Sequence, residues 1–427
     1  MQISDLYKLY LEHPVVTTDS RDCPEGSIFF ALKGESFNGN KFAQSALDKG
    51  CALAVVDEVI EGVVDPSDPR FVLVDNVEQS LQELAAYHRS QMQLPVIQIT
   101  GTNGKTTTKE LLSAVLAEAH NVLYTQGNLN NHLGVPRTLL RITPNHDIAV
   151  IETGANHPGE IDFLCRMVKA DCGLVTNVGR AHLEGFGSFE GVKRTKGELY
   201  DDLKERGGYV FLNMMDEDLV GMAMERELNA VPYVQGVVLS CNPFLTIRWM
   251  DPQGQPHDVQ THLIGSYNLP NLLAAATVGL RFGVSPEQVD HALANYIPSN
   301  NRSEFRDTGR NHLIVDAYNA NPTSMAAALD NFSLVEADHK MAILGDMREL
   351  GAESEMEHQK VVDKVGASGI ETVWFVGDNF RKAVHHYRTF SNVEEVKAAI
   401  QAEPIEGRTI LIKGSNGTKL FQLPELL

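Results

Sequence analysis

The chain has 427 residues, 43% of them hydrophobic and 22% charged, and a formal net charge of −20. At ~100–200 residues per domain this is enough material for two to four ordinary globular domains. The acidic balance, with no run of Lys or Arg, excludes a protein whose main partner is nucleic acid or an anionic membrane surface, and it leaves room for one small basic pocket. The N-terminal stretch MQISDLYKLYLEHP has no basic segment followed by an apolar one, and no stretch nears ~18 uninterrupted apolar residues. Neither a signal peptide nor a membrane span is therefore expected. Cys23, Cys51, Cys165, Cys172 and Cys241 form no C-x-x-C pair. An odd count at irregular spacing fits reduced thiols in a cytoplasm.

The first ninety or so residues read as short strands (SIFFAL, FVLVD) and helices (FAQSALDKG, VEQSLQELAAYHRSQ). Pro95 marks a boundary, and a new core strand, VIQIT, follows it. In the middle region NVLYT, DIAVIET, CGLVTNV and YVFLN read as further strands. Between them lie helical stretches such as KTTTKELLSAVLAEAH, where Leu111, Leu112, Val115, Leu116 and Ala119 share one face. Such alternation predicts a mostly parallel sheet covered by helices. A more β-like stretch (FLTIRWM, VQTHLIG) and an apolar helix (NLLAAATVGLRFG) close the region near Tyr296-Ile297-Pro298. The remainder alternates again, with strands HLIVDAYN, KMAILGDM, TVWFVGD and TILIKGS separated by helical segments, which predicts a second doubly wound α/β unit.

The chemistry starts where VIQIT runs into Gly101-Thr102-Asn103-Gly104-Lys105-Thr106-Thr107 and then into an amphipathic helix. Strand, glycine-containing loop and helix N-terminus together form the setting for a triphosphate. Lys105 can reach the β- and γ-phosphates, and the Thr106 hydroxyl can ligate Mg²⁺. The general G-x-x-x-x-G-K-T spacing would need glycine where Ile99 stands, so this is a shorter G-x-x-G-K-T form. DIAVIE ends in Glu152, where a second carboxylate for Mg²⁺ belongs, and His182 follows another strand. Asn321-Pro322 reads as a helix start with proline in the first turn, which would aim that terminus and the Asn319 side chain at the strand tips.

GTNGKTT, ETGANHPGEI, TNVGRAHLEGFGS, DAYNANPTSM and GDMRELG, in this order, resemble the Mur ligases of peptidoglycan synthesis. The resemblance covers nearly the whole chain; ANHPGEI and YNANPTSM are its specific pieces. It implies three α/β domains: a small mixed N-terminal domain (1–93) for the UDP end of the substrate, a central P-loop ATPase domain with a mostly parallel sheet (94–298), and a C-terminal Rossmann-like doubly wound domain (299–427). It also implies that residues 101–107 hold the ATP phosphates, and that Thr106, Glu152, His182 and Lys196 hold Mg²⁺, with Lys196 (RTKGELY) as a carbamate. Asn268 and Asn271 (GSYNLPNLLAA) would lie beside the adenine, and Arg302 and Asp316 would complete the nucleotide site from the C-terminal domain. Ser20 and Arg21 resemble the uridine-nucleotide region. Asn128, Asn130 and Asn131 (GNLNNHLGVP) resemble the central-domain stretch facing the muramoyl-peptide, and Thr153, Asn319 and Asn321 would also be substrate-binding. Tyr267 stands where a histidine is usual.

The reaction so implied is ATP-dependent addition of D-alanyl-D-alanine to a UDP-N-acetylmuramoyl-tripeptide through an acyl phosphate, with Lys105, Glu152, His182 and Lys196 as the catalytic set and two Mg²⁺ ions. A cytoplasmic monomer is expected, with a hinge at Pro298–Arg302 that closes the site against water. The alternatives are another amide-forming ligase of the superfamily, such as a different Mur enzyme or folylpolyglutamate synthase, a P-loop GTPase switch, and a non-catalytic scaffold. The absence of an N-K-x-D tetrapeptide disfavours the switch.

Overall fold

The computed structural model describes residues 1–299 and 301–427; Asn300, inside the expected hinge, lies outside the described residues. By its Cα packing the chain divides into two compact units. The first comprises Met1–Ile99, His120–Ala155 and Glu160–Gly173, and the second Thr100–Ala119, Asn156–Gly159 and Leu174–Leu427.

The first unit opens on a four-stranded parallel sheet in chain order, Val16–Thr17, Ile28–Phe30, Leu53–Val56 and Phe71–Leu73. Phe29, Ala54, Val56 and Phe71 pack there on Ala43, Ala46 and Leu47 of the helix Ala43–Asp48. The helix Val77–Gln91 starts at Asn76, whose side chain accepts the Gln79 N–H at 2.8 Å, and buries Leu81, Leu84 and Ala85. Near its end Arg89, 7% exposed, donates to the carbonyls of Val168 (2.9 Å) and Lys169 (3.0 Å), placing a cation at the C-terminal end of the helix Glu160–Val168. The strand Ile148–Glu152 is buried at every residue.

Ile148–Glu152 belongs to a six-stranded sheet ordered Asn229–Pro232, Tyr209–Leu212, Cys172–Val175, Val96–Thr100, Ile148–Glu152, Val122–Tyr124. Continuous apolar runs such as VIQIT and IAVIE show no period-two alternation, because a parallel sheet with both faces covered has no solvent side. The expected core strands are all present. The edge strand Asn229–Pro232 was not expected, since three of its four residues are exposed and carry no apolar signal.

In the second unit the helix Phe189–Arg206 carries Lys196. Its charged sequence hides a narrow stripe, Val192, Leu199, Tyr200 and Leu203, that packs inward. A three-stranded antiparallel sheet follows (Gly236–Cys241, Phe244–Met250, Pro256–Ile264). The last sheet is ordered Glu304–Asp307, His312–Asp316, Thr409–Lys413, Lys340–Gly345, Thr372–Val376, Arg388–Phe390, parallel except for its first pair. Alternate residues of these strands feed two cores. Ile314, Ala342, Leu344, Phe375 and Leu411 face one, and Leu313, Val315, Ile343, Trp374 and Ile412 face the other. Helices therefore cover both faces, as the doubly wound reading requires. Among the described residues no helix is long and apolar enough to cross a membrane, and all five cysteines are free thiols.

Candidate active site

The strand Val96–Thr100 ends in the glycine loop, and the helix Lys105–Ala117 begins at Lys105. Gly101 (φ +143) and Gly104 (φ +78) adopt backbone conformations that favour glycine. A Cβ on Gly101 would be driven into the Thr176 hydroxyl, and one on Gly104 would lie 2.9 Å from Asn271 Oδ1. The loop is thus pressed between the end of the strand Cys172–Val175 and the helix Leu269–Arg281. The N–H groups of Thr102 and Asn103 donate to the Asn177 carbonyl and its Oδ1, both at 3.0 Å. The Asn103 carbonyl accepts from Thr176 Oγ1 (2.6 Å) and Asn177 Nδ2 (2.9 Å). With those two amides turned inward, an anion at this loop meets the stretch from Gly104 to Thr107, where the helix starts. Lys105 Nζ folds back onto the carbonyls of Gly101 (2.9 Å) and Thr102 (3.0 Å).

His182 and Lys196 meet around one ring. The imidazole stands edge-on to Phe186 at 6.2 Å, and Lys196 Nζ lies 5.4 Å from the same ring centre. Lys196 is 2% exposed. Nearby on the same helix, Asp201 holds Arg226 at 2.7 Å, and Glu198 accepts the Gly159 N–H at 2.8 Å. His182 has a left-handed backbone (φ +52), and its Nδ1 contacts Glu349 of the GDMRELG segment. That imidazole holds the Glu349 carboxyl below the usual carboxylate range. In the first unit Glu152 is 1% exposed at its strand tip, and its Oε1 accepts from Asn130 Nδ2 at 2.8 Å.

Three family models match consecutive parts of the chain: "Mur ligase family, catalytic domain" over residues 14–91, "Mur ligase middle domain" over 99–279 and "Mur ligase, glutamate ligase domain" over 301–416. The chain is 34% identical to the UDP-N-acetylmuramoyl-tripeptide–D-alanyl-D-alanine ligase of Escherichia coli (strain K12), covering 96% of this chain and 93% of that protein. This chain belongs to the Mur ligase family. The ligase of the same name from Bacillus subtilis (strain 168) is 33% identical over 96% of this chain and 92% of its own. A crystal structure of MurF from Acinetobacter baumannii superposes with a TM-score of 0.86 at 30% identity, covering 99% of this chain and 97% of that one. Like that protein, this Mur ligase has the three-domain α/β architecture.

Several residues expected to touch ligands are occupied in this Mur ligase by the protein itself. Asn268 and Asn271 are buried at 3% and 7% exposure. Asn268 Nδ2 donates to the Ile264 carbonyl (2.8 Å), Asn271 Nδ2 donates to Asn268 Oδ1 (2.9 Å), and Thr108 Oγ1 donates to Asn271 Oδ1 (3.0 Å). They form a brace under Gly104. Thr153 is fully buried, accepting from Gln98 Nε2 (3.1 Å) and donating to the Ile99 carbonyl (3.3 Å), so its hydroxyl serves the sheet and not a substrate. Asn131 Oδ1 accepts the Gly134 N–H at 2.9 Å, at the start of the helix Gly134–Leu139. Asn128 gives its carbonyl to the Asn130 N–H at 2.7 Å. Arg21 is exposed and pairs with Asp19 at 2.7 Å, while the Ser20 carbonyl accepts from Lys49 at 2.7 Å.

On the C-terminal side, Asp316 Oδ2 lies 2.5 Å from Lys413 Nζ, which is 1% exposed. Asn319 Oδ1 accepts the Ala320 N–H at 2.9 Å and is tied to its own turn. The Arg302 guanidinium lies 3.7 Å over the Tyr318 ring, and Tyr267, in the position where histidine is usual, bonds its hydroxyl to Ser303 at 3.0 Å. Asn321 caps the helix Pro322–Leu334 in a full capping box, as its sequence predicted. Asn177, Glu349 and Lys413 were missed. Each stands in a stretch quoted for its pattern, TNVGRAH, GDMRELG and KGS, yet only the folded contacts give these side chains a task.

Proposed function

We propose that this protein is an ATP-dependent ligase that joins D-alanyl-D-alanine to a UDP-N-acetylmuramoyl-tripeptide through an acyl phosphate, in cytoplasmic peptidoglycan precursor synthesis. The observation that carries this reading is the strand–glycine loop–helix with Lys105 and Thr106, in a chain 34% identical to the E. coli ligase over 96% of its length.

The chain's own part in the reaction is positioning and charge neutralisation. The first turn of the helix Lys105–Ala117 and the Lys105 ammonium hold the β- and γ-phosphates of ATP. Lys105 reaches them by exchanging its present loop carbonyls for phosphate oxygens, and it stabilises negative charge as the γ-phosphoryl moves to the tripeptide carboxylate. The acceptor amine then attacks the acyl carbon and phosphate leaves. Arg302, held on the Tyr318 ring, completes the nucleotide site from the C-terminal domain, and Asp316 acts there through its ion pair with Lys413.

By chemical type each of these residues suits Mg²⁺: Glu152 is a buried hard carboxylate, Thr106 a hydroxyl at a helix start, and His182, with Nδ1 on Glu349, would keep Nε2 for a metal. A carbamate on Lys196, withdrawn from solvent beside Phe186, would add an anionic ligand. Mg²⁺ held by these groups would supply charge neutralisation on the phosphates and the substrate carboxylate.

The deciding experiment is phosphate release with ATP and a panel of UDP-muramoyl-peptides, with and without D-alanyl-D-alanine. Release that requires the D,D-dipeptide and a UDP-muramoyl-tripeptide, and that EDTA stops, is the expected result. Preference for L-alanine, D-glutamate or a diamino acid as acceptor would assign the chain to a sister ligase, and GTP outcompeting ATP would favour a nucleotide switch.

A further inference from the structure

The phosphate loop has one side-chain amide that nothing in its own neighbourhood uses. Asn103 sits at the loop centre with its N–H and carbonyl already engaged by Asn177 and Thr176. Its carboxamide points to Asn321, 218 positions later in the chain. Asn321 Nδ2 donates to Asn103 Oδ1 at 2.7 Å, and Asn103 Nδ2 returns a longer contact to Asn321 Oδ1 at 3.5 Å. Asn321 is 4% exposed, and its Oδ1 is also the cap acceptor for the Ser324 N–H at 2.9 Å. One group therefore ends the helix Pro322–Leu334 and holds the loop. Around it, the Arg180 N–H donates to Thr323 Oγ1 at 3.2 Å. Gly179 is flanked so closely that a Cβ would lie 3.1 Å from Thr323 Oγ1 and 3.2 Å from Thr102.

We propose that the Asn103–Asn321 carboxamide pair is a positioning device for phosphoryl transfer, through which the first turn of the helix Pro322–Leu334 sets the phosphate loop; this rests on the reading of residues 101–107 as the triphosphate site. The chemistry suits the task. Two neutral amides each offer a donor and an acceptor, so they lock orientation without adding a charge that would compete with the triphosphate or Mg²⁺. Hydrogen bonds between neutral groups are individually modest, so the pair can reopen in every cycle. The loop alone would still bind nucleotide; the pair aligns it for transfer.

The test is a double-mutant cycle on the full chain with Asn103→Ala and Asn321→Ser. Serine keeps a good helix cap and is too short to reach Asn103. Each single variant should lower kcat about tenfold, a central value for one coupled contact. Affinity for an ATP analogue, measured without the other substrates, should stay within about twofold of the parent, because the pair acts on alignment. The double variant should be no slower than the slower single one. Effects that multiply to about a hundredfold in the double variant, the signature of independent sites, would overturn the pair. So would singles that turn over at the parent rate. If Asn321→Ser fails to fold in a thermal melt, Asn103→Ala alone keeps the test open through its split between kcat and nucleotide affinity. Lys105→Ala separates the two readings. If it is inactive while the asparagine effects multiply, only the pair fails; if it is near normal, the phosphate-loop reading fails.

Discussion

The strands Val96–Thr100 and His312–Asp316 both run in largely parallel sheets, and each leads through a short loop into a thirteen-residue helix. Their loops are built for opposite purposes. The first has glycines where side chains would collide, and its lysine reaches back to two neutral carbonyls of its own loop, the contacts that the proposed function exchanges for phosphate oxygens. The second closes on itself. Asp316 is neutralised by Lys413, Asn319 by its own turn, and Asn321 by the helix cap and Asn103. A strand-to-helix junction is thus only a frame. In the first the cation lies on carbonyls of its own loop, and in the second the charges are paired across the domain.

The largest expected effect breaks the first junction. Lys105→Ala should lower kcat by about 10²–10³, the usual cost of removing one strong charge stabiliser, with an unchanged melting curve. Near-normal turnover would make the two junctions alike after all. The second effect belongs to the other junction and should appear in stability. Lys413→Ala leaves Asp316 without its cation in a mostly buried setting, which should cost about 3 kcal/mol, read from the urea midpoint. A midpoint unchanged from the parent would mean that the pair is worth no more than a surface contact.

Backbone strain gives a third and smaller measure. Gly104→Ala forces a Cβ against Asn271 Oδ1 and a side chain into a left-handed conformation, at an expected cost of about 1–2 kcal/mol and with weaker binding of an ATP analogue. Binding at parental affinity would show that the brace of Asn268 and Asn271 can yield without moving the loop. The smallest effect tests the cap. Asn321→Ala should lose about 1 kcal/mol of stability, and Asn321→Ser only a few tenths, by thermal melts. Equal losses would mean that the Asn103 contact, and not the cap, carries the stability of that turn.

Local pattern in the sequence determined much of this protein. The buried strands show as continuous apolar runs because both sheet faces are covered, and the glycine loop shows because its glycines, lysine and threonine fall together in one short strand-to-helix stretch. The Asn321-Pro322 helix start was legible for the same reason, since a cap acts on the next turn. Only the tertiary structure decided which of the polar residues at these junctions are left for ligands. Nothing adjacent in sequence tells that Thr153 faces Gln98, that Asn271 supports Gly104, or that Lys413 consumes the charge of Asp316. A buried polar group must find a partner, and that partner is chosen by the packing of segments as far as 218 residues apart, as Asn103 and Asn321 show.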